Sequence, residues 1–294
     1  MLLVGTGHGV QDLDTGDTFV EGEPVTALAS SRAACCALLD RSHVVRVGPG
    51  GEVAVGSLPE PDGQSVAVLA DGTVVLGRTG ARLAVIPPDG EVLDVPAFGT
   101  VPGRDDWENP ANPTPDTRTM AAGPQRWWVN VHVGGVWWSD DTGRTWHGAV
   151  EPDADVHEVR TGAEGSVAVA AAVGFGWSSD DGGSWSWTTD GLHASYLRAA
   201  ALDGQTAFVS ASDGPFTKNG AVYRATLGSS FVRCEAGLPS RFDGNVDSSN
   251  LDAADGRAAI GFRDRVYLSE DAGVTWRVAG ALPGPVRAVR FGPA

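Results

Sequence analysis

Short apolar segments recur along the whole chain, and polar loops, glycine and proline separate them. The stretch AAIGFRDRVYL (258–268) is typical, because it reads as an apolar strand, a short loop and a second strand. No long segment has helical spacing, and 40 glycines and 18 prolines interrupt the chain too often for long helices. The pattern therefore predicts an all-β protein of many short strands joined by tight turns.

One octapeptide follows such strand pairs three times, as SDDTGRTW (139–146), SSDDGGSW (178–185) and SEDAGVTW (269–276). Each copy obeys Ser-x-Asp-x-Gly-x-Ser/Thr-Trp, in which the Asp carboxylate can accept backbone N–H groups of a turn. Glycine supplies the positive φ of such a turn, and tryptophan provides a large ring for packing between sheets. A decayed copy, DLDTGDTF (12–19), keeps Asp14, Gly16 and Thr18. These segments are predicted to be hairpin turns, called the octapeptide turns below.

The spacing of the repeats predicts a seven-bladed β-propeller that spans residues 1–294 as a single domain. Four strand-like segments fall in each of six ranges, 25–58, 65–98, 117–150, 155–192, 195–239 and 245–283. Residues 286–291 supply one further strand and residues 2–21 supply three, so the N- and C-terminal strands together complete a closing blade. Six blades remain the alternative, because the first two full blades carry no octapeptide.

The octapeptide resembles the Asp box, or BNR repeat, of sialidases, xyloglucanases and sortilin-type propellers. The resemblance implies that the innermost strand of each blade lines a central channel. It also implies that the loops between the second and third strands, and between blades, gather at one mouth, while the octapeptide turns lie on the opposite face. Proteins with this repeat include enzymes and binding scaffolds, so the resemblance leaves the reaction type open.

Charge and composition narrow the partners. The formal net charge is −16, which disfavours nucleic acids and anionic membrane surfaces. Three cysteines, of which Cys35 and Cys36 are adjacent, do not form a disulfide framework. The first residues do not read as a signal peptide, and no apolar run reaches the ~20 residues that span a bilayer. We expect a cytoplasmic protein, with a processed secreted protein as the alternative.

Histidine placement points to the mouth, since five of the six histidines fall in predicted mouth segments. Three of them, His132, His157 and His193, belong to neighbouring blades and can converge on one divalent metal ion, with Asp155 or Asp247 as a carboxylate ligand. Imidazole also serves as a general acid or base near neutral pH. Histidines that are merely hydrogen-bonded in polar loops are the third interpretation.

Arginine and aromatic residues add candidates for substrate binding. Arg118, Arg160, Arg198 and Arg287 lie on or near inner strands, and Arg263 lies in a loop of the last full blade. Guanidinium groups in an acidic protein suggest capture of an anion, although pairing with nearby carboxylates is equally open. The long loop 98–119 carries Trp107, which is either a lid over a ligand or a packed side chain.

These residues lead to two hypotheses about function. The first is an enzyme, a metal-assisted hydrolase or lyase, that acts on a small polar or carbohydrate-like substrate at the channel mouth. In it, His157, Asp155 and Tyr196 are catalytic, and the substrate is bound by Arg118, Arg160, Arg198, Arg263, Trp107 and Asp247. The second is a non-catalytic propeller that binds a protein or a glycan.

Overall fold

The computed structural model describes residues 1–107 and 114–293, and in them the strands form seven four-stranded antiparallel sheets. The innermost strands of successive sheets contact one another around the whole ring, and the last contacts the first. The protein is therefore a seven-bladed β-propeller, which confirms the prediction of seven blades over six.

The closing blade contains the first three strands of the chain and the last one. Its strands are β1 (Leu2–Thr6), β2 (Gly9–Asp12), β3 (Thr18–Phe19) and, innermost, β28 (Ala288–Phe291). The first full blade comprises β4 (Val25–Ser30), β5 (Cys35–Leu39), β6 (His43–Gly48) and β7 (Gly51–Ser57). The second comprises β8 (Gly63–Val68), β9 (Val74–Arg78), β10 (Arg82–Ile86) and β11 (Leu93–Asp94).

The remaining four blades carry most of the loops considered below. The third comprises β12 (Thr117–Ala122), β13 (Trp127–Val131), β14 (Gly135–Ser139) and β15 (His147–Val150). The fourth comprises β16 (Val156–Thr161), β17 (Val167–Ala171), β18 (Gly174–Ser178) and β19 (Ser186–Thr188). The fifth comprises β20 (Tyr196–Asp203), β21 (Thr206–Ser212), β22 (Ala221–Thr226) and β23 (Val232–Arg233). The sixth comprises β24 (Leu251–Ala254), β25 (Arg257–Phe262), β26 (Arg265–Ser269) and β27 (Arg277–Ala281).

Helical structure in the described residues is confined to short 3-10 turns between blades, at Pro96–Thr100, Arg104–Asp106 and Pro152–Ala154. None of the described helices has the length and apolar character to cross a membrane.

Burial follows the position of a strand within its blade. Second strands such as β5, β9, β13 and β17 are buried along their full length. Each blade packs between two neighbouring blades, and these cover both faces of its second strand. The outermost strands β7 and β27 are largely exposed. The continuous apolar runs in the sequence therefore correspond to strands covered on both faces, and seven apolar clusters lie between adjacent blades rather than in one central core.

The ring closes by antiparallel pairing of β1 with β28, in which Leu2 lies opposite Phe291 and Gly5 opposite Ala288. This pairing places β1 between β28 and β2, and β28 forms the inner edge of the closing blade. The sharing of one blade by the first and last strands, as predicted from the sequence, is confirmed.

The octapeptide turns link the third and fourth strands of the third, fourth and sixth blades. In the last of them, Asp271 accepts the backbone N–H of Thr275 at 2.8 Å and its hydroxyl at 2.7 Å. This hydroxyl hydrogen bond is the main reason that the pKa of Asp271 falls to about 2. The Ser269 hydroxyl donates to Asp271 and accepts the N–H of Gly273 at 2.8 Å. The carboxylate thus organises the turn.

Glycine in the octapeptide meets two requirements at once. Gly143 and Gly182 have φ of +83° and +82°, which favours glycine. A Cβ at Gly143 would also lie 2.8 Å from the ring of Trp127, and one at Gly182 would collide with Trp128. Any side chain here would therefore strain the backbone and push the turn away from an aromatic ring.

In the decayed copy near the start of the chain, the turn is stabilised by a different aspartate from the one that the octapeptide pattern predicts. Asp14, predicted to organise the turn, instead forms a bidentate ion pair with Arg257 of the sixth blade, at 2.6 and 2.9 Å. Asp12 stabilises the turn, because its Oδ1 accepts the backbone N–H of Asp14 at 3.0 Å and of Leu2 at 3.1 Å. Asp14 thus ties the closing blade to its neighbour.

Replacing Ser269 by alanine will destabilise the protein by about 1–3 kcal/mol, because the buried N–H of Gly273 loses its acceptor. Urea unfolding measures the change. The matched control is Ser240→Ala, since Ser240 is exposed and its hydroxyl makes no hydrogen bond among the described residues. Equal stability of the two variants would show that the octapeptide turns are not structural staples.

Candidate functional site

The upper mouth of the channel, opposite the octapeptide turns, brings together two histidines and an aspartate. His132 follows β13 in the loop to β14, and His157 is the second residue of β16. Asp155 caps the 3-10 turn Pro152–Ala154 in the left-handed conformation, with φ of +47°. Because β16 begins directly after this cap, Asp155 and His157 lie side by side.

The ligand atoms of these three residues lie within 4.8 Å of one another. His157 Nε2 is 3.5 Å from Asp155 Oδ2, and His132 Nε2 is 3.8 Å from Asp155 Oδ1. His157 Nδ1 lies 2.6 Å from the carbonyl oxygen of Leu197, so it carries the proton and donates it there. In the neutral ring, Nε2 therefore presents a lone pair toward Asp155, and the site brings acceptor atoms together with no donor between them. We call these three residues the His–Asp cluster.

The His–Asp cluster fits a divalent metal ion by geometry and by donor chemistry. Ligand atoms of a tetrahedral zinc site lie about 3.3 Å apart, given bonds of about 2.0–2.1 Å. Buried Asp155 Oδ1 has no hydrogen-bond partner in the described part of the chain. The hydrogen bond from His157 to a backbone carbonyl is the support that ligating histidines usually have. Two imidazoles and one carboxylate leave at least one coordination position for substrate or water.

The protonation states of His132 and Asp155 favour metal binding by the His–Asp cluster. Burial, assisted by the positive charge of Arg118, lowers the pKa of His132 to about 4, so the ring is neutral at physiological pH. The pKa of Asp155 is also lowered, chiefly by a hydrogen bond from the His157 ring and against the effect of burial. That hydrogen bond exists only when both ring nitrogens of His157 carry a proton, whereas in the neutral ring Nε2 keeps its lone pair for a metal ion.

Tyr196 and an ion pair adjoin the cluster. The Tyr196 ring lies 4.7 Å from the His157 ring, centroid to centroid, and its hydroxyl accepts a hydrogen bond of 3.2 Å from Arg198. Asp247 holds Arg198 through contacts of 2.9 and 2.6 Å to one carboxylate oxygen. The guanidinium thus holds the phenol beside the cluster, and Asp247 is engaged by Arg198.

Arg118, at the start of β12, lies close to the cluster and makes no hydrogen bond or ion pair within the described residues. Burial, with a contribution from the nearby charge of Arg198, lowers its pKa to about 10. Its side chain lines a cavity of about 160 Å³ in the upper half of the channel. Arg118 is therefore available to a ligand that enters from the upper mouth.

His193 does not join the His–Asp cluster. Its Nδ1 lies 2.8 Å from the Tyr223 hydroxyl and its Nε2 lies 2.9 Å from the carbonyl of Asn219. Because a carbonyl only accepts, Nε2 carries the proton and Nδ1 accepts from tyrosine, which leaves no lone pair for a metal ion. The structure corrects the expectation that three histidines converge.

Trp107 is a packed side chain rather than a lid over the channel. Its ring lies 5.8 Å from both Phe98 and Trp137, between the second and third blades, and the residue is 6% exposed. The packing follows from the 3-10 turns that precede Trp107, which fold this loop onto the blades. Part of the predicted lid, residues 108–113, lies outside the described residues.

Two further arginines lie away from the cluster. Arg160 is near the lower end of β16, where Glu158 and Asp252 lie within 3.0 and 3.6 Å of its guanidinium. It points into a lower cavity of about 340 Å³ because it lies at the opposite end of β16 from His157. Arg263 is exposed on the rim and pairs with Asp243 at 2.8 Å. The structure therefore does not bring Arg160 and Arg263 together with the His–Asp cluster.

Sequence reasoning missed Arg290, which lies on the innermost strand β28 and lines both the upper and the lower cavity. The signal was available, because an arginine interrupts the otherwise apolar segment AVRF (288–291). A charged residue in a strand that is buried in a ring must face the channel or a partner.

No family model and no curated protein sequence matches this chain. The fold is similar to that of the WD40 repeats of RRP9, with a TM-score of 0.67 and 12% identity over 99% of this chain and 89% of that chain. The computationally designed protein Ika8 has a TM-score of 0.62 and 15% identity, over 98% and 86% of the two chains.

Glycoside hydrolases are also among the similar structures. The GH74 xyloglucanase of Xanthomonas campestris has a TM-score of 0.59 and 18% identity to this chain. The similarity covers 94% of this chain and 46% of that enzyme. At these identities the similarities show a β-propeller and no particular activity.

In metal-free protein, we expect the His132 ring to stay neutral from pH 8 to pH 5, as followed by its ring NMR signals. In the unfolded chain the His132 ring has a pKa near 6.5. As the pH falls from 6.5 toward 4, this ring therefore takes up a proton in the unfolded state and stays neutral in the folded state. The free energy of unfolding decreases over that pH range as a result. Urea unfolding at several pH values will show less of this loss in His132→Gln than in the control His147→Gln, which replaces an exposed ring. A His132 titration midpoint near 6.5 would contradict the burial argument.

Proposed function

We propose that this chain is an enzyme that acts on a small polar or carbohydrate-like substrate at the upper mouth of the channel, as a metal-assisted hydrolase or lyase. The observation that carries the proposal is the convergence of acceptor atoms from His132, Asp155 and His157 within 4.8 Å. We also propose that the chain belongs to the Asp-box propellers, on the basis of its three octapeptides.

The residues around the cluster have complementary roles in this proposal. A divalent ion bound by the cluster would supply Lewis-acid activation of a substrate oxygen or of water. Tyr196, held by Arg198 beside His157, is placed to exchange a proton with the substrate through its hydroxyl. Arg118 is placed to bind negative charge on the substrate, because no described carboxylate pairs with it.

The second candidate, a non-catalytic propeller that binds a protein or glycan, has support from one exposed side chain. Phe216 is 96% exposed in the loop between β21 and β22, which belongs to the upper mouth. An aromatic ring presented in this way suits contact with a macromolecule or a sugar. This candidate needs no metal ion, so metal binding distinguishes the two.

Protein freed of metal by a chelator is expected to bind one equivalent of Co²⁺, measured by calorimetry and by the visible absorption of the ion. Asp155→Asn will weaken this binding by about 100-fold or more, because it replaces an anionic ligand by a neutral one. Asparagine also tolerates the positive φ at this position, so the fold is retained.

The matched control is His147→Gln, which lies next to an octapeptide turn on the opposite face, where the ring stacks on Trp138. It should bind Co²⁺ as the wild type does. Absence of stoichiometric binding, or equal binding by Asp155→Asn, would refute the metal site and favour the binding propeller.

A further inference from the structure

The upper cavity of the channel is lined by three arginines and by no carboxylate of the described residues. Arg118, Arg287 and Arg290 contribute the charges, and Gln64, Thr119 and Ser249 contribute polar groups. The cavity has a volume of about 160 Å³, roughly ten times what a single water molecule needs. A concentration of positive charge is unexpected in a chain with a net charge of −16.

Arg290 is the most buried of the three, at 7% exposure. Its guanidinium donates to the carbonyls of Ser249 and Val289 at 3.1 and 2.6 Å, and to the Ser249 hydroxyl at 3.2 Å. No described carboxylate lies within ion-pair distance of it. Burial, together with the charge of Arg160, lowers its pKa to about 10. A buried charge whose hydrogen bonds are all to neutral groups remains costly, so Arg290 would gain from an anion in direct contact.

Arg118 and Arg287 leave further donors facing the same cavity. Arg287 donates one hydrogen bond, of 2.8 Å, to the carbonyl of Val25, and Arg118 donates none to the described residues. Neither has an ion pair in the described part of the chain. Guanidinium groups that retain free N–H donors are well suited to carboxylate and phosphate oxygens.

Two arginines elsewhere in the protein, Arg78 and Arg160, have carboxylate partners. Arg78, 4% exposed, pairs with Asp62 at 2.8 Å and Asp94 at 2.9 Å. Arg160 in the lower cavity has Glu158 and Asp252 beside it. These two arginines therefore have carboxylates within ion-pair distance, and the three of the upper cavity have none among the described residues.

We infer that the upper cavity binds a small oxyanion, with a carboxylate or phosphate group held between the guanidinium groups of Arg118, Arg287 and Arg290. The Ser249 hydroxyl, which accepts a hydrogen bond from Arg290, retains its own proton and can donate to the same anion. The anion neutralises charge that the fold itself does not neutralise. This inference goes beyond the proposed function, since it requires no metal ion and no reaction.

The test uses chelator-treated full-length protein, so that no phosphate bound through a metal ion is counted. Inorganic phosphate is titrated by calorimetry at constant ionic strength set with sodium chloride, and acetate is titrated separately. We expect one equivalent of phosphate to bind, with a dissociation constant at least tenfold lower than that of chloride. Tighter binding of acetate than of phosphate would assign the site to carboxylates, and the reverse to phosphates. No binding of either anion above chloride would overturn the inference.

Variants locate the binding within the channel. Arg118→Gln and Arg287→Gln should each weaken anion binding at least tenfold, because each removes a charged donor. Arg263→Gln is the matched control, since Arg263 lies on the same mouth, is exposed and pairs with Asp243. Arg290→Met is informative only if circular dichroism shows that it folds, so the inference is judged on the other two. Equal binding by wild type, Arg118→Gln and Arg287→Gln would overturn it.

Asp155→Asn separates this site from the His–Asp cluster. This variant loses Co²⁺ binding if the proposed function is correct, and it should keep phosphate binding in either case. A protein that binds phosphate without binding Co²⁺ would refute the metal site alone, and one that binds Co²⁺ without binding phosphate would refute the anion site alone.

Discussion

The antiparallel pairing of β1 with β28 is the contact on which the rest of the structure depends. The second strand of a blade is buried because its blade has a neighbour on each side, and only a closed ring gives every blade two neighbours. The pairing of Leu2 with Phe291 and of Gly5 with Ala288 closes the ring. The ion pair between Asp14 and Arg257 connects the closing blade to the sixth blade as well. Without this closure, two blades would expose apolar faces and the channel would not exist.

Closure also concentrates the chemistry of the molecule. Seven inner strands face one axis, so a charged side chain on any of them is brought close to side chains from distant parts of the chain. Arg118 and Arg290 are 172 residues apart in sequence, as their numbers show, and line one cavity. His132 and His157 come from adjacent blades and reach the same aspartate. Arginine and histidine side chains are thus concentrated in and around the channel, although the protein as a whole is acidic.

The carboxylates on the two faces of the ring differ in their hydrogen bonding. On the lower face, Asp271 accepts four hydrogen bonds from N–H and hydroxyl groups of its own turn. On the upper face, Asp155 keeps an oxygen without a partner in the described residues, and its backbone is in a conformation that favours few residue types. Carboxylates of the same chemical kind therefore act as a structural staple at one end and as a candidate ligand at the other.

The sequence by itself determined the architecture, because local signals specify it. Apolar runs mark strands covered on both faces, the octapeptides mark turns, and the complementary strand counts at the two ends predict the shared blade. It also predicted that His132, Asp155, His157 and Tyr196 lie at the mouth, since each lies at or next to the end of a strand there. Only the tertiary structure decided that His193 is occupied by Tyr223 and Asn219, that Trp107 is packed, and that Arg160 faces the lower cavity. Those outcomes depend on which neighbours surround each side chain, and that information lies in contacts between residues far apart in the chain rather than in local spacing.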